Sequence, residues 1–240
     1  MPLPLSETFT SIQGEGKLAG VPSWFVRFSG CNLRCGWCDT PYASWSPEVT
    51  SRELEDVLGE ARGNVARNVR HAVVTGGEPM MFDAVEPLCR GLREMGMHVT
   101  IETAGTIARA PNALACDLMS MSPKLSNSTP RGGDPRDPGG VWRARHEQRR
   151  LNLEALQQLI RDFPSRQLKF VVSEPEQLNE IESLLARLHG WTNEDVLLMP
   201  EGVSVEALAS RRWLVEACTS RGWRFCPRLH IQLFGNKRGT

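Results

Sequence analysis

Short apolar runs alternate with helical patterns along most of this chain, and the alternation restricts the possible folds more than any other feature. Apolar runs rich in β-branched and aromatic residues predict seven strands, at 23–28, 71–75, 97–103, 114–122, 168–173, 195–200 and 225–233. Amphipathic periodicity predicts five helices, at 51–62, 83–95, 151–163, 174–190 and 204–222. Strands connected through helices form a parallel sheet, and these units are fewer than a closed barrel of eight requires. We therefore predict an α/β fold, an incomplete or modified (β/α) TIM-like barrel.

Capping signals indicate where several helices begin and end. We expect Thr50 or Ser51 to cap the first helix, with Glu53 near the capping-box position. We expect Asp83 to cap the second helix and Gly96 to end it. In folds of this class the active site lies at the C-terminal ends of the strands, so motifs that follow strands are the candidates for function.

One stretch does not fit the alternation. From Pro130 to Gly140 the chain is dominated by proline, glycine and charge, which is incompatible with a strand or a helix. We predict a single domain over 1–240 with an irregular insertion at about 125–150, either a mobile lid or a surface insertion. We interpret the arginines near its end as the solvated face of a helix: Arg143, Arg145, Arg149 and Arg150.

Composition argues against several classes of function. The 28 Lys and Arg residues balance the 28 Asp and Glu residues, whereas a protein that binds nucleic acid through its phosphates usually has a basic excess. No run of about 18 apolar residues is present, so we expect no membrane span. The N-terminal sequence has no basic region followed by an apolar stretch, so we expect no signal peptide. These features predict a cytoplasmic protein that acts on a small molecule.

Three of the seven cysteines lie in one short loop after the first predicted core strand. Cys31, Cys35 and Cys38 have the spacing C-x3-C-x2-C, which in a cytoplasmic chain indicates metal binding rather than disulfides. Thiolates are the ligands of iron–sulfur clusters. Three of them can hold three corners of a 4Fe–4S cubane and leave the fourth iron free for a small molecule. Gly30 and Gly36 permit the tight backbone that such a loop needs.

A structural zinc site is the main alternative for this loop. Such a site needs four ligands, usually as two pairs, and the chain has no second C-x-x-C pair. His71 or Cys89 would have to complete it, and we favour the cluster. We interpret the remaining cysteines as small core residues because they lie within apolar patterns: Cys89, Cys116, Cys218 and Cys226.

A second motif, VVTGGEP at 73–79, follows the next predicted strand. Gly76 and Gly77 allow the backbone to approach a ligand closely, and Glu78 can accept a hydrogen bond from an ammonium group. With the cysteine loop, in which Trp37 precedes the last cysteine, this motif resembles the hallmarks of the radical S-adenosylmethionine (SAM) superfamily. The resemblance implies a barrel of the radical SAM type that binds a 4Fe–4S cluster and SAM.

Four further features are similar to the 7-carboxy-7-deazaguanine synthase family within that superfamily. They are FTSIQGEG at 9–16, Arg27 on the first core strand, SPK at 122–124 and LHIQLFGNKRGT at 229–240. The resemblance covers nearly the whole chain except 125–165. The IQGEG stretch beside the cysteine loop is its most specific element.

This resemblance implies a ring-contracting lyase of the queuosine and 7-deazapurine precursor pathway. The substrate would be 6-carboxy-5,6,7,8-tetrahydropterin, and the products 7-carboxy-7-deazaguanine and ammonia. A 5′-deoxyadenosyl radical formed from SAM would take a hydrogen from C6 of the pterin and return it after the ring contracts, so that SAM is regenerated. The resemblance also implies Mg²⁺ at the substrate carboxylate, an electron donor such as flavodoxin or ferredoxin, and a homodimer.

The resemblance assigns substrate roles to individual residues. Glu15 is expected to accept hydrogen bonds from the guanidine-like edge of the pterin, Arg27 to pair with its carboxylate, and Thr40 to bind magnesium. The plain alternatives are that Glu15 is a surface charge, that Arg27 faces outward and that Thr40 is a turn residue before Pro41. The other expected substrate contacts are Ile12, Gln13, Gly14, Thr75 and His230, the last of which is nearly as often a structural histidine.

A second set of residues is expected at the cofactor. Trp37, Cys38 and Asp39 are placed near the adenine and ribose, and Gly77 and Glu78 at the methionine end. The remaining candidates follow two other strands: Glu102, Ser122, Pro123 and Lys124.

Two features depart from the family pattern, and two other functions compete with it. The stretch at 130–150 has no counterpart that we can place, and the C-terminal sequence differs from that of other members, so a contact between the terminus and substrate is left open. A glycyl-radical activase, which would consume SAM on a protein partner, is the second enzymatic interpretation, and the IQGEG stretch argues against it. A zinc-stapled binding module is the non-enzymatic one.

Overall fold

The structure, a computed structural model, describes residues 1–110 and 112–240. The strands in this part of the chain form one sheet: β1 (Pro2–Ile12), β2 (Pro22–Phe28), β3 (Thr50–Glu53), β4 (His71–Gly76), β5 (His98–Thr103), β6 (Leu118–Met121), β7 (Arg166–Val172), β8 (Val196–Pro200) and β9 (Arg224–Phe225). Their order is β3-β1-β2-β4-β5-β6-β7-β8-β9. The α-helices of the described residues are α1 (Leu54–Ala66), α2 (Val85–Glu94), α3 (Val141–Arg149), α4 (Leu153–Asp162), α5 (Gln177–Leu185), α6 (Val205–Ala209), α7 (Leu214–Arg221) and α8 (Leu229–Phe234).

The predicted fold class is confirmed. The strands β2 and β4 to β9 all pair in parallel and correspond to the seven predicted strands. β1 runs antiparallel to both β2 and β3. β3 and β9 lie at opposite ends of the strand order, so among the described residues the sheet does not close and the barrel is incomplete.

The central strands are buried over their whole length. Every residue of β8 is buried, as is nearly every residue of β4 and β7, because helices cover one face and the other lines the interior. Trp24, Phe28 and Phe170 are the largest side chains with almost no exposed surface. Each such side chain contributes about 1.5 to 3 kcal/mol of hydrophobic free energy relative to an exposed one. This packing fixes the strand ends, where the functional residues lie.

The N-terminal part of the sheet was not predicted. We predicted no strand before residue 23, yet β1 pairs along most of its length with β2, and Leu3 and Leu5 point into the core. Thr50–Glu53 pair with β1 as a short edge strand, so the first helix begins at Leu54. The capping box predicted at Thr50 or Ser51 is therefore wrong. Asp83 is not a cap either, since Ala84 precedes α2, but Gly96 follows the helix in a left-handed conformation as predicted.

The C-terminal part differs in two respects. The predicted strand 225–233 ends after Phe225, and Leu229–Phe234 form α8 because Pro227 cannot continue a ladder and the Leu229 N–H donates to the Gly14 carbonyl. The predicted helix 204–222 is two helices, α6 and α7. Between them, Ser210 and Arg211 side chains donate to the Ala207 carbonyl, and such competition for a backbone acceptor disfavours a continuous helix.

The segment expected to be irregular contains α3. The Asp137 carboxylate accepts hydrogen bonds from the N–H groups of Trp142 and Arg143 and so satisfies the start of this helix. Arg145 and Arg149 are exposed on α3, as predicted for a solvated face. Arg150 differs, because it is half-buried after the helix. None of the described helices is long and apolar enough to cross a membrane.

Candidate active site

A cavity of about 680 Å³ opens at the C-terminal ends of the parallel strands. Thr75 and Gly77 reach it from the end of β4, Thr103 from the end of β5, and Ser122 from the residue after β6. Glu201 reaches it from the residue after β8. This is the edge of the sheet at which β/α folds place their active sites.

The cavity brings together most of the residues that the sequence predicted. Those that line it are Ile12, Gln13, Gly14, Glu15, Arg27, Cys31, Cys35, Trp37, Cys38, Asp39, Thr40, Thr75, Gly77, Glu102, Ser122, Lys124 and His230. Glu78 and Pro123 are not among its lining residues.

The three cysteines of the loop are free thiols that face the same cavity. The Leu33 N–H donates to Cys31 Sγ over 3.3 Å, and Cys38 Sγ lies 3.1 Å from Ser44 Oγ. Burial raises the pKa of the Cys35 thiol to about 12, so a bound metal centre must displace the thiol protons. In the described part of the chain, no three His, Cys, Asp or Glu side chains are grouped so as to hold one metal ion.

Trp37 presents an unpartnered donor beside this loop. Trp37 packs against a buried apolar cluster of Val171, Leu197, Met199 and Cys226, and the Lys124 ammonium lies 5.4 Å from the ring centroid. The indole N–H is buried and has no hydrogen-bond partner among the described residues. Because buried donors are nearly always paired, this one fits a site that a bound molecule completes.

The Gly-Gly turn after β4 packs directly on the cysteine loop. The Gly77 N–H donates to the Phe28 carbonyl over 3.0 Å, and the Glu78 N–H donates to the Gly30 carbonyl over 2.9 Å. A Cβ at Gly77 would overlap the carbonyl oxygens of Gly30 and Ala43. Only glycine therefore permits this approach, which joins the two sequence motifs into one wall.

The Glu78 side chain has hydrogen-bond partners within the protein. Its carboxylate is fully buried and accepts hydrogen bonds from Thr103 Oγ1, the Ala104 N–H and the Met80 N–H, at 2.8, 2.8 and 3.1 Å. Burial raises the pKa of this carboxyl, although the hydrogen bonds oppose the shift. The side chain ties the Gly-Gly turn to the end of β5, so part of its capacity to accept hydrogen bonds is already used, and its contact with SAM stays a prediction.

A cluster of opposite charges lies at the other side of the cavity. Glu15 pairs with Lys169 and, over 3.0 Å, with Arg228 Nε, while Arg228 also pairs with Asp39. Burial acts to raise the pKa of Glu15, but the two cations outweigh it and hold that pKa well below its usual range. The carboxylate is therefore ionised, and part of its capacity to accept hydrogen bonds is already used. His230 Nε2 lies 3.9 Å from Glu15.

Polar side chains from three elements meet around Glu102. Thr75 Oγ1 donates to one carboxylate oxygen over 2.9 Å, and Gln13 Nε2 donates to the other over 3.3 Å. Gln13 is only 5% exposed, so this contact anchors the 12–16 loop to the parallel strands. Thr40 Oγ1 faces the same cavity, 3.8 Å from Cys38 Sγ.

Arg27 faces the cavity from β2 and is held by Glu7 of β1. Arg27 Nε donates to Glu7 Oε1 over 2.8 Å, and the Tyr42 hydroxyl donates to the same oxygen over 2.8 Å. Arg238 Nε donates to the second oxygen over 2.9 Å and its guanidinium stacks 4.0 Å from the Tyr42 ring centroid. The C-terminal residues 236–240 line the cavity, a position that the sequence analysis had left open.

Sequence reasoning missed several residues of this site. Lys169 was the detectable one, because a lysine inside the apolar run LKFVV on a buried strand requires a partner. Glu7, Tyr42 and Arg228 carried no local signal. His230 was predicted on a strand but lies on α8, where it fills the space beside Gly14, since a Cβ there would overlap its ring.

Comparisons with known proteins match the family that the sequence motifs resemble. The radical SAM superfamily profile matches residues 25–187. A 7-carboxy-7-deazaguanine synthase of Rhodopirellula baltica is 48% identical over 240 residues, which cover 99% of this chain and 89% of the relative. The enzyme of that name from Halobacterium salinarum is 44% identical over 99% of this chain and 93% of its own length.

A solved structure is similar over nearly the whole chain. The crystal structure of QueE from Escherichia coli superposes with a TM-score of 0.68 at 27% sequence identity, covering 94% of this chain and 93% of that one. The fold is therefore a (β/α) barrel of the radical SAM type.

Proposed function

This chain belongs to the radical SAM superfamily and, within it, to the 7-carboxy-7-deazaguanine synthase family, and from that premise we propose how its cavity carries out the ring contraction. The enzyme is a carbon–nitrogen lyase that converts 6-carboxy-5,6,7,8-tetrahydropterin to 7-carboxy-7-deazaguanine and ammonia in 7-deazapurine biosynthesis. Its cofactors are a 4Fe–4S cluster and SAM. The observation that carries the assignment of residues is that the cysteine loop, Glu15, Arg27 and His230 all line one cavity.

Cys31, Cys35 and Cys38 would hold the cluster, and the chain's own residues fit it. Of the seven cysteines, these three are the ones that line the cavity. When bound, the reduced cluster supplies the electron that cleaves SAM to the radical that takes a hydrogen from the substrate. Lys124, whose charge lowers the pKa of the Cys35 thiol against the effect of burial, favours the thiolate form.

The wall formed by Trp37, Gly77 and Ser122 is the proposed binding site for SAM. Trp37 supplies a planar face and a free N–H, and the Gly-Gly turn supplies a backbone surface without side chains. Lys124 Nζ donates to Ser122 Oγ over 2.9 Å, which places a cation beside the same wall for the carboxylate of an amino acid. Glu78 supports this wall from behind.

The opposite wall is the proposed pterin site. Arg27 uses Nε for Glu7, so its Nη groups are the donors proposed for the substrate carboxylate. Glu15 is ionised and fixed by Lys169 and Arg228, which keeps an anionic acceptor in place for the guanidine-like edge of the pterin. His230, next to Glu15, closes this end of the cavity.

Four further proposals rest on fewer observations. Mg²⁺ bound by Thr40 and the substrate carboxylate is supported by the position of this hydroxyl in the cavity beside Cys38. A homodimer and an external electron donor such as flavodoxin or ferredoxin are supported by resemblance to the family, and light scattering tests the first. The single domain is supported by the one sheet to which all the strands of the described residues belong. A cytoplasmic location stays a prediction from sequence.

The proposed function is tested by turnover of the anaerobically reconstituted enzyme. With reductant, SAM and carboxytetrahydropterin, we expect 7-carboxy-7-deazaguanine to accumulate over many turnovers without matching loss of SAM. Cys35→Ala should lose both iron and activity, whereas Cys116→Ala, a matched change at a half-buried cysteine outside the cavity, should keep both. Unchanged substrate with the wild-type enzyme, or activity in Cys35→Ala, would disprove the assignment. Formation of 5′-deoxyadenosine only with a protein partner would instead favour a glycyl-radical activase.

A further inference from the structure

The segment 126–149 packs on the outer side of the cysteine loop. The Gly36 N–H donates to the Ser128 carbonyl over 2.8 Å, and Arg136 Nη2 donates to the Gly36 carbonyl over 2.8 Å. The Arg34 N–H donates to Nδ1 of His146, a histidine with no exposed surface, over 3.1 Å. Since the inner side of the loop faces the cavity, this segment is the protein surface that lies next to the three cysteines.

Aromatic and guanidinium groups connect the loop to that surface. The Arg34 guanidinium lies 4.0 Å from the centroid of the Trp142 ring, and the guanidinium of Arg145 lies 5.4 Å from the same centroid. Arg34 precedes Cys35 in the chain, and Arg145 is exposed. The Trp142 ring therefore lies close both to an arginine of the cysteine loop and to an exposed positive charge.

A second opening reaches the loop from the same side. A groove of about 510 Å³, separate from the active-site cavity, is lined by Asn32, Arg149 and Arg187 among others. Asn32 follows Cys31 directly, and its Oδ1 is buried with no hydrogen-bond partner among the described residues. A bound surface can thus come close to the first cysteine without entering the substrate cavity.

Two exposed arginines, Arg149 and Arg187, line this groove, and Arg145 lies one turn before Arg149 on α3. We call the exposed residues Arg145, Arg149 and Arg187 the arginine face; within 1–110 and 112–240 none of them forms a salt bridge. Arg150, by contrast, pairs with Glu147 and Glu180 over 2.8 and 2.9 Å. The segment 126–150 has six arginines and three acidic residues, although the whole chain has no net charge. A local positive field of this kind attracts and orients an acidic partner.

We propose that the arginine face is the docking surface for an acidic one-electron carrier protein that reduces the cluster. The proposal rests on the proposed function, because only a cluster enzyme needs such a partner. One electron leaves the carrier and enters the cluster; for a flavin carrier, the anionic hydroquinone becomes the neutral semiquinone, and no bond in this chain forms or breaks. The carrier approaches the loop from outside while the substrates occupy the cavity on its inner side.

The test compares two reductants and two charge-reversal variants. The first variant carries Arg145→Glu and Arg149→Glu, one turn apart on α3. The matched control carries Arg62→Glu and Arg90→Glu, which are exposed on α1 and α2 and form no salt bridge among the described residues. Binding of a purified, acidic flavodoxin to the anaerobic holoenzyme is measured by calorimetry at low and high salt. Turnover is measured with reduced flavodoxin and, separately, with dithionite.

We expect the first variant to bind flavodoxin about tenfold or more weakly at low salt and to lose flavodoxin-driven turnover in proportion. Its dithionite-driven turnover and the behaviour of the control variant should match the wild type. The wild-type affinity should fall with salt, because exposed charges are screened beyond about 8 Å at physiological ionic strength. Wild-type affinity in the first variant, no salt-dependent binding by the wild type, or equal loss of dithionite-driven turnover would overturn the proposal. A wild type inactive with both reductants would count against the proposed function, while the binding data would still decide the docking surface.

Discussion

At the scale of single residues, Glu7 orients the arginine that we assign to the substrate carboxylate. It accepts hydrogen bonds from Arg27, Tyr42 and Arg238, and although burial acts to raise its pKa, the arginines lower it, so the group is charged at neutral pH. Glu7→Gln keeps the shape but removes the charge. We expect KM for carboxytetrahydropterin to rise about tenfold with a smaller change in kcat, because a charged hydrogen bond to Arg27 is lost.

The control for this change is Glu48→Gln. Glu48 pairs with Arg238 over 2.8 Å but does not contact Arg27. Steady-state kinetics of both variants should distinguish the role of Glu7 in positioning Arg27 from the role of both carboxylates in holding the C-terminal residues. An equal rise in KM in Glu48→Gln would contradict the role assigned to Glu7.

Thr40 offers a test of the magnesium proposal at a single oxygen atom. Thr40→Val preserves the side-chain volume and removes the hydroxyl, whereas Thr40→Ser keeps the hydroxyl. Because Mg²⁺ prefers oxygen ligands, we expect the valine variant to require about tenfold more Mg²⁺ for half-maximal activity and the serine variant to resemble the wild type. Titration of Mg²⁺ into chelator-treated enzyme measures this, and identical curves for all three proteins would exclude Thr40 as a ligand.

Residues with a local motif were predictable, and residues that act across the chain were not. Cys31, Cys35 and Cys38 are neighbours in sequence, so their spacing alone indicates a common ligand. Arg228 lies more than 200 residues from Glu15, and only the packing of β9 and α8 against the 12–16 loop brings them together. The contacts of the Glu78 carboxylate with Thr103 and Ala104 were not predictable, because its motif indicates only the shape of the backbone.

At the scale of elements, Gly14 is where the substrate loop meets α8. Its carbonyl accepts a hydrogen bond from the Leu229 N–H over 2.8 Å, and an added Cβ would overlap the His230 ring. Gly14→Ala should therefore displace His230 and reduce kcat/KM by about a hundredfold or more, since small misplacements at an active site have effects of this size. Kinetic assays of the variant measure the loss.

The matched substitution is Gly63→Ala in α1. Nothing lies within 4 Å of the added Cβ there. Alanine is the better helix former, so this variant should keep full activity and gain up to about 1 kcal/mol of unfolding free energy. Full activity in Gly14→Ala would show that α8 adjusts freely, contrary to the close packing described.

The parallel strands were predictable as elements because both faces are buried and their apolar runs are continuous. β1 and β3 were not, since β1 contains two prolines and few apolar residues after Leu5 and is stabilised mainly by pairing with β2. The sequence LHIQL has a pattern typical of a strand, yet it forms α8 because its backbone contacts the 12–16 loop. Tertiary contacts, rather than local sequence, decide the secondary structure of such short segments.

At the scale of the whole molecule, the charged cluster connects parts of the chain that are distant in sequence. Glu15 comes from the loop before β2, Asp39 from the cysteine loop, Lys169 from β7 and Arg228 from the segment before α8. Removing one partner from such a buried group leaves an uncompensated charge, which costs about 3 to 5 kcal/mol. The substrate site and the packing of these distant segments around the cavity therefore depend on the same side chains.

Acid stability should depend on a histidine far from this site. His71 of β4 lies between Ser23 of β2 and Thr100 of β5, with its two ring nitrogens 2.6 and 2.8 Å from their hydroxyls. Burial, together with the neighbouring His98, lowers the pKa of His71 to about 4. The ring is thus neutral in the fold, whereas in the unfolded chain it titrates near its ordinary value of about 6.5.

The sign of the pH dependence follows from this difference. The stability that neutral His71 contributes is present above about pH 6.5 and is lost as the pH falls towards 4, at up to about 1.4 kcal/mol per pH unit. His71→Asn, which does not titrate, should make the unfolding free energy fall less steeply than that of the wild type between these pH values. The exposed His189→Asn should retain the wild-type slope. Urea unfolding at pH 7.5, 5.5 and 4.5 measures all three proteins, and parallel curves for His71→Asn and the wild type would show that the strands around His71 accommodate its charge.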